Sequence, residues 1–102
     1  MPLNNERKKQ LRSLGHGLKP VVTVAGSGLH DNVMAEIDRA LSDHELIKIK
    51  LAVEDRDDRV AIGEEIANTL KAEVVQAVGK VILLLREAKK PNPKLSNLQR
   101  FK

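Results

Sequence analysis

Three sets of residues in this chain carry functional groups from which a site can be built. The first is the short segment Gly26, Ser27 and Gly28, set between a β-branched run and an amphipathic stretch. Glycines let a backbone approach a ligand closely and adopt positive φ, and the free amides that open a helix near residues 29–32 favour anions, so a phosphate can sit there. The competing reading is a tight turn, with Asp31 satisfying those amides itself. The second set is basic: Lys19, Lys48, Lys50, Lys80 and Arg86, joined by Arg7, Lys8 and Arg12 near the start of the chain. Brought together they can surround one strand or groove of a polyanion, and kept apart they are surface charges that oppose aggregation. The third set is acidic. Glu54, Asp55, Asp57 and Asp58 have the oxygen ligands a magnesium site needs, but Arg56 and Arg59 stand among them and the segment reads as a solvated turn with a helix cap. His16, His30 and His44 lie 14 residues apart in each case, with no i, i+4 pairing and no cysteine in the chain, which argues against a metal site. His44 instead suits a helix C-terminus, where its protonated form is favoured. Ser27 has no evident base beside it. Neither catalysis nor a cofactor is expected.

The elements that must position these groups belong to one small domain. The chain has 102 residues, 41% hydrophobic and 31% charged, the composition of an ordinary folded domain. Its net charge of +4 is unevenly spread. Residues 1–28 hold five Lys/Arg against one Asp/Glu, residues 29–79 six against twelve, and residues 80–102 seven against one. If the two basic ends converge, one surface of the molecule is positive. The longest wholly apolar run is Val81 to Leu85, far short of the roughly 20 residues of a membrane helix, and residues 1–10 are polar where a secretion signal is apolar. The expected address is the cytoplasm, with no membrane partner and no small-molecule substrate.

Spacing predicts seven elements. Asn4 or Asn5 caps a first helix running to about Leu14, which Gly15 and Gly17 end. Val21 to Val24 form a short, buried strand. Leu29, Val33, Ile37, Ala40 and Leu41 recur at helical spacing. From Glu45 the period becomes two: Ile47, Ile49, Leu51 and Val53 share one face, and Leu46, Lys48, Lys50 and Ala52 the other, which is open and basic. Asp57 or Asp58 caps a third helix carrying Ile62, Ile66, Thr69 and Leu70. Val74 to Val78 and Val81 to Leu85 flank Gly79 and Lys80 as a hairpin. The last strand is apolar on both faces, so it is central or has its second face covered by the first helix. The expected fold is α/β, in the order α-β-α-β-α-β-β, over residues 1–87. Residues 88–102, with Pro91 and Pro93, read as a flexible basic arm.

A resemblance joins this reading at Leu18 to Val22, Gly28 and Leu29, Ile37, Ala40, Leu41, the run His44 to Lys50, Gly79, Lys80 and Arg86. These residues resemble the CRM-domain family, in its bacterial single-domain YhbY-like form, over about Leu11 to Arg86. The resemblance implies an RNA-binding domain with a four-stranded mixed sheet, similar in topology to the C-terminal domain of translation initiation factor 3. It also implies association with precursors of the large ribosomal subunit. The family's Gly-x-x-Gly loop falls on Ala25 to Gly28, with alanine at its first glycine position. Relatives often carry an aromatic where Leu85 stands.

The function expected is therefore binding of large-subunit ribosomal RNA, or of its precursor particle, by a monomer that holds backbone through Lys19, Gly26, Ser27, Gly28, Lys48, Lys50, Lys80, Arg86, Arg7, Lys8 and Arg12. Phe101 is the sole aromatic, so base stacking of the kind that aromatic sheets perform has no platform. Contacts to phosphate and RNA shape should dominate, with affinity falling steeply with salt. The alternative is a protein-binding adaptor on the assembling particle that uses the acidic helices.

Overall fold

The sheet owes its order to one strand that is apolar on both faces. In the computed structural model, which describes residues 4–25 and 28–98, seven elements follow in sequence: α1 (Asn5–His16), β1 (Pro20–Val24), α2 (Asp31–His44), β2 (Leu46–Leu51), α3 (Arg56–Leu70), β3 (Glu73–Val78) and β4 (Val81–Leu85). The strands lie in the order β1-β2-β4-β3. β1 and β2 are parallel, as the α2 crossover requires, while β4 runs antiparallel to both of its neighbours. Both readings of β4 hold: it is an inner strand, and its second face is covered by α1.

Alternation along the strands builds two cores. Val22, Val24, Ile47, Ile49, Leu51, Ile82 and Leu84 face α2 and α3, where they meet Ile37, Leu41 and Ile66. On the opposite face Leu46, Val75, Leu83 and Leu85 meet Leu11 of α1 and Leu98. β1 is an edge strand with only one face buried, since Val22 and Val24 are covered while Val21 and Thr23 are exposed, so the expectation of a buried strand holds for half of it.

Helix ends explain most departures from the expected boundaries. α1 is capped by Asn4, whose Oδ1 accepts the Arg7 amide at 2.7 Å, but it runs through Gly15 to His16 and stops at Gly17. Gly15 is kept inside the helix by close packing: a Cβ there would stand 2.7 Å from both δ-carbons of Leu83. α3 is capped by Asp55, which accepts the Asp58 amide at 3.1 Å, rather than by Asp57 or Asp58. Those two occupy its first turn, where their negative charge is favourable beside the positive end of the helix dipole. Thr69, expected on the packed face, is exposed. Gly79, at φ 57°, takes the first position of the two-residue β3–β4 turn, as such hairpins favour.

The C-terminal segment differs most from expectation. Through Leu98 it returns to the domain, and Ser96, Asn97 and Leu98 are buried. The anchor is the α2–β2 junction. Glu45 sits at φ 63°, only 2% exposed, with its carboxylate accepting from the Ala88 amide and the Ser96 hydroxyl, each at 2.6 Å. Asn97 donates to the carbonyls of His44 and Leu46, and the imidazole Nδ1 of His44 donates to the Leu95 carbonyl at 2.8 Å. Two prolines preclude regular structure, but buried polar groups of the junction supply partners that composition does not reveal.

Candidate nucleic-acid interface

The basic residues collect on the α1 side of the sheet because β2 points Lys48 and Lys50 that way. Cross-strand pairing sets out two lateral rows on this face. Lys48 lies opposite Leu83, which lies opposite Gln76; one step along, Thr23, Lys50, Val81 and Val78 stand in line across all four strands. α1 ends just past Gly15, which packs on Leu83 of the first row, and Thr23, Lys50 and Val78 of the second row are exposed. Lys48 is half-buried, with its ammonium 3.5 Å from the His16 carbonyl, whereas Lys50 is exposed. On α1, Lys8, Arg12 and His16 recur every four residues and form one stripe, whose last member lines this open area. Arg7 belongs to the inward stripe that continues through Leu11 and Leu14, near the far end of the helix, and its guanidinium reaches Gln10 at 3.4 Å.

Lys19 joins Lys48 from the other side. Both line a hollow of about 250 Å³ with Leu18, Val21, His44 and Asn97, so the C-terminal segment supplies one wall. Lys19 immediately precedes β1 and Gly28 follows it, so the two stand at opposite ends of that strand.

At the other end of the sheet stand Gly28 and the hairpin. Gly26 and Ser27 lie outside the described residues. Gly28 has φ 103°, and its amide already donates to the Ala25 carbonyl at 3.1 Å, so this amide closes a turn. Lys80 is paired with Glu54 at 2.6 Å. That hydrogen bond, then the charge of Lys80, with a further contribution from Arg59, holds the Glu54 carboxyl below its ordinary value of 4.5. The acidic segment is thus occupied by a lysine and a helix cap, and among the described residues no cluster of His, Asp or Glu is arranged to hold a metal ion.

Arg86 is a correction. Its Nη1 donates to Asp38 Oδ1 at 2.7 Å and to the Leu70 carbonyl at 3.0 Å, and its Nη2 to the Asp38 carbonyl at 2.8 Å and Ser42 Oγ at 2.9 Å. All four terminal N–H groups are committed to fastening α2 to the end of α3, which leaves none of them for a phosphate. Sequence reasoning also missed the exposed His16 and Gln76 and the buried Asn97 as groups that line this face. Helical spacing from Arg12 points to the first, while the other two follow from a strand irregularity and a tertiary contact that no local pattern signals.

Comparison with known proteins agrees with this architecture. The CRS1/YhbY (CRM) domain model matches residues 3–86. A Pseudomonas aeruginosa protein named "Probable RNA-binding protein" is 52% identical over 101 residues, covering 99% of this chain and 97% of the relative. A Bacillus subtilis protein of similar name is 32% identical over 87 residues, covering 85% and 91%. The solution structure of a hypothetical Staphylococcus aureus protein, described as a candidate for RNA binding, superposes with a TM-score of 0.77 at 31% identity, covering 87% of this chain and 93% of that one. With the matched model spanning all of α1 through β4, the chain belongs to the CRS1/YhbY (CRM) domain family.

Proposed function

We propose that this protein binds RNA through the α1 side of its sheet, and that its RNA is large-subunit ribosomal RNA in an assembling particle. The observation that carries the first part is the convergence of Lys48, Lys50, Lys19 and the Lys8–Arg12–His16 stripe around a face that α1 leaves partly uncovered. Cations gathered on one face, with an acidic middle of the chain placed largely in the helices behind it, make a sided molecule suited to a polyanion. Relatives named for RNA binding support the same class of partner. The ribosomal assignment rests on the family resemblance of residues 11–86.

Two measurements test the two parts. Sedimentation of a tagged copy from lysate, with and without ribonuclease, followed by sequencing of copurifying RNA, should place the protein with large-subunit particles and enrich a confined segment of their RNA. Travel at the top of the gradient with no RNA enriched would overturn the ribosomal reading. Charge reversal then separates RNA contact from the adaptor alternative: Lys19→Glu with Lys48→Glu should abolish particle association, whereas Glu64→Gln with Glu65→Gln should leave it intact. The opposite pattern assigns the contact to a protein partner of α3.

A further inference from the structure

β3 carries one irregularity, and its consequence lies on the proposed RNA face. Val74 pairs with Leu84, and Gln76 with Leu83, so two steps on β3 answer one step on β4 and Val75 is the inserted residue of a β-bulge. In a regular ladder Val75 would stand opposite Leu83, and Gln76 would turn toward α2 and α3. The bulge instead re-aims Gln76 and Val78 to the α1 side, while Val75 keeps its place in the core beneath α1. There Gln76, Val78, Val81 and Leu83 form the floor and one wall of a hollow of about 300 Å³, with His16 and Lys48 completing it. This volume is at the small end of the range for small-molecule sites. Val78 is 62% exposed, a large apolar side chain left uncovered between cations. Among the described residues no carboxylate lines the hollow, and Lys50 stands directly opposite Val81 at its margin.

We propose that this hollow takes one unpaired nucleotide of the bound RNA, with its base lying on Val78 and Val81, its polar edge hydrogen-bonded by the Gln76 amide, and its phosphate held by Lys48 and Lys50. An amide that both donates and accepts can pair with a base edge, and an aliphatic floor beside it covers the base's apolar face. The site needs a base that has left its helix, because a paired base in an A-form duplex is stacked between its neighbours and cannot enter a hollow on the protein surface. Chemistry therefore selects single-stranded segments, loops or bulges, and gives some base preference to a protein otherwise built for phosphates. This inference rests on the RNA reading above.

The test uses the full chain and short RNAs. Homopolymers of uridine, cytidine and adenosine and a matched duplex are titrated at several salt concentrations, and a 4-thiouridine strand is crosslinked and mapped by tryptic peptide. Single strands should bind more tightly than the duplex, with unequal affinities among the homopolymers, and crosslinks should fall in the peptide Ala72–Lys80. Gln76→Leu should weaken the preferred homopolymer about tenfold and level the ranking, with the slope of log affinity against log salt unchanged. Crosslinking of the unsubstituted protein requires no variant to fold. Salt-dependent binding with crosslinks only elsewhere, or a ranking unaffected by Gln76→Leu, would overturn the nucleotide site and leave the RNA reading in place. Absence of RNA binding at any salt would overturn both.

Discussion

Arg86 and Lys48 are both cations on inner strands or their ends, yet they do opposite work. The guanidinium of Arg86 is 22% exposed and satisfies four acceptors on α2 and at the end of α3, so its loss leaves polar groups without their partner inside the domain. Arg86→Ala should lower stability by about 2 kcal/mol in urea unfolding, and Arg86→Lys should recover little of it, because an ammonium lacks the planar fork that reaches both helices. Lys48→Ala, by contrast, should alter stability by less than about 0.5 kcal/mol, while reducing the salt slope of single-stranded RNA binding by about 0.7, the share of one phosphate contact. Glu54 shows how pH reads out a local pair. Its carboxyl is held below its ordinary 4.5 in the folded state by Lys80, so the stabilisation is complete above 4.5 and lost as pH falls through the lowered folded value. Melting temperatures of the protein and of Glu54→Gln should therefore differ above pH 4.5, converge as acid protonates the carboxylate, and differ less at high salt, because the pair is exposed.

The placement of α1 depends on a glycine where a helix would gain from alanine. Gly15→Ala improves helix propensity by about 1 kcal/mol but thrusts a methyl into the δ-carbons of Leu83, and overpacking of a buried contact costs about 1–3 kcal/mol. The single substitution should therefore destabilise by about 1 kcal/mol. In a Leu83→Ala background, where the obstructing carbons are gone, Gly15→Ala should become neutral or stabilising, and this change of sign in denaturant unfolding is the diagnostic result. Sequence pattern already located α2 and β2, because their periods of about 3.6 and 2 directly report which face is buried. It also found the β3–β4 hairpin through Gly79. The end of α1 escaped it, since glycine ordinarily stops a helix and the need for close approach to Leu83 exists only once the sheet has formed. The bulge at Val75 escaped it for a related reason: Val74 to Val78 alternate acceptably in either register, and the partner strand decides which residues face α1.

Over the whole molecule, alternation along β2 was enough to put Lys48 and Lys50 on one face, but the ends of the sheet were not legible. Lys19 and Gly28 are close in sequence and lie at opposite ends of β1, and Arg86 reads as a free cation until Asp38 and Ser42 are brought to it. The C-terminal segment extends the same lesson, since its composition suggests a solvated arm and its structure is decided by the α2–β2 junction. Glu45 holds a positive-φ backbone conformation that costs a non-glycine residue of order 1–3 kcal/mol, and it persists there with its carboxylate bridging Ala88 and Ser96. If this bridge organises the segment in solution, the amides of Ala88 and Asn97, which donate to Glu45 and to the His44 carbonyl, should exchange with solvent much more slowly than those of an extended arm. Ser96→Ala removes a buried donor from a buried carboxylate, and should lower global stability by about 2 kcal/mol while bringing the Asn97 amide toward the unprotected rate. Exchange of Asn97 at the unprotected rate in the unsubstituted protein would show the bridge to be absent. Because Asn97 also walls the hollow that holds Lys19 and Lys48, Ser96→Ala should weaken RNA binding at the proposed face without changing its salt slope, since the lysines remain while one wall of that hollow is loosened.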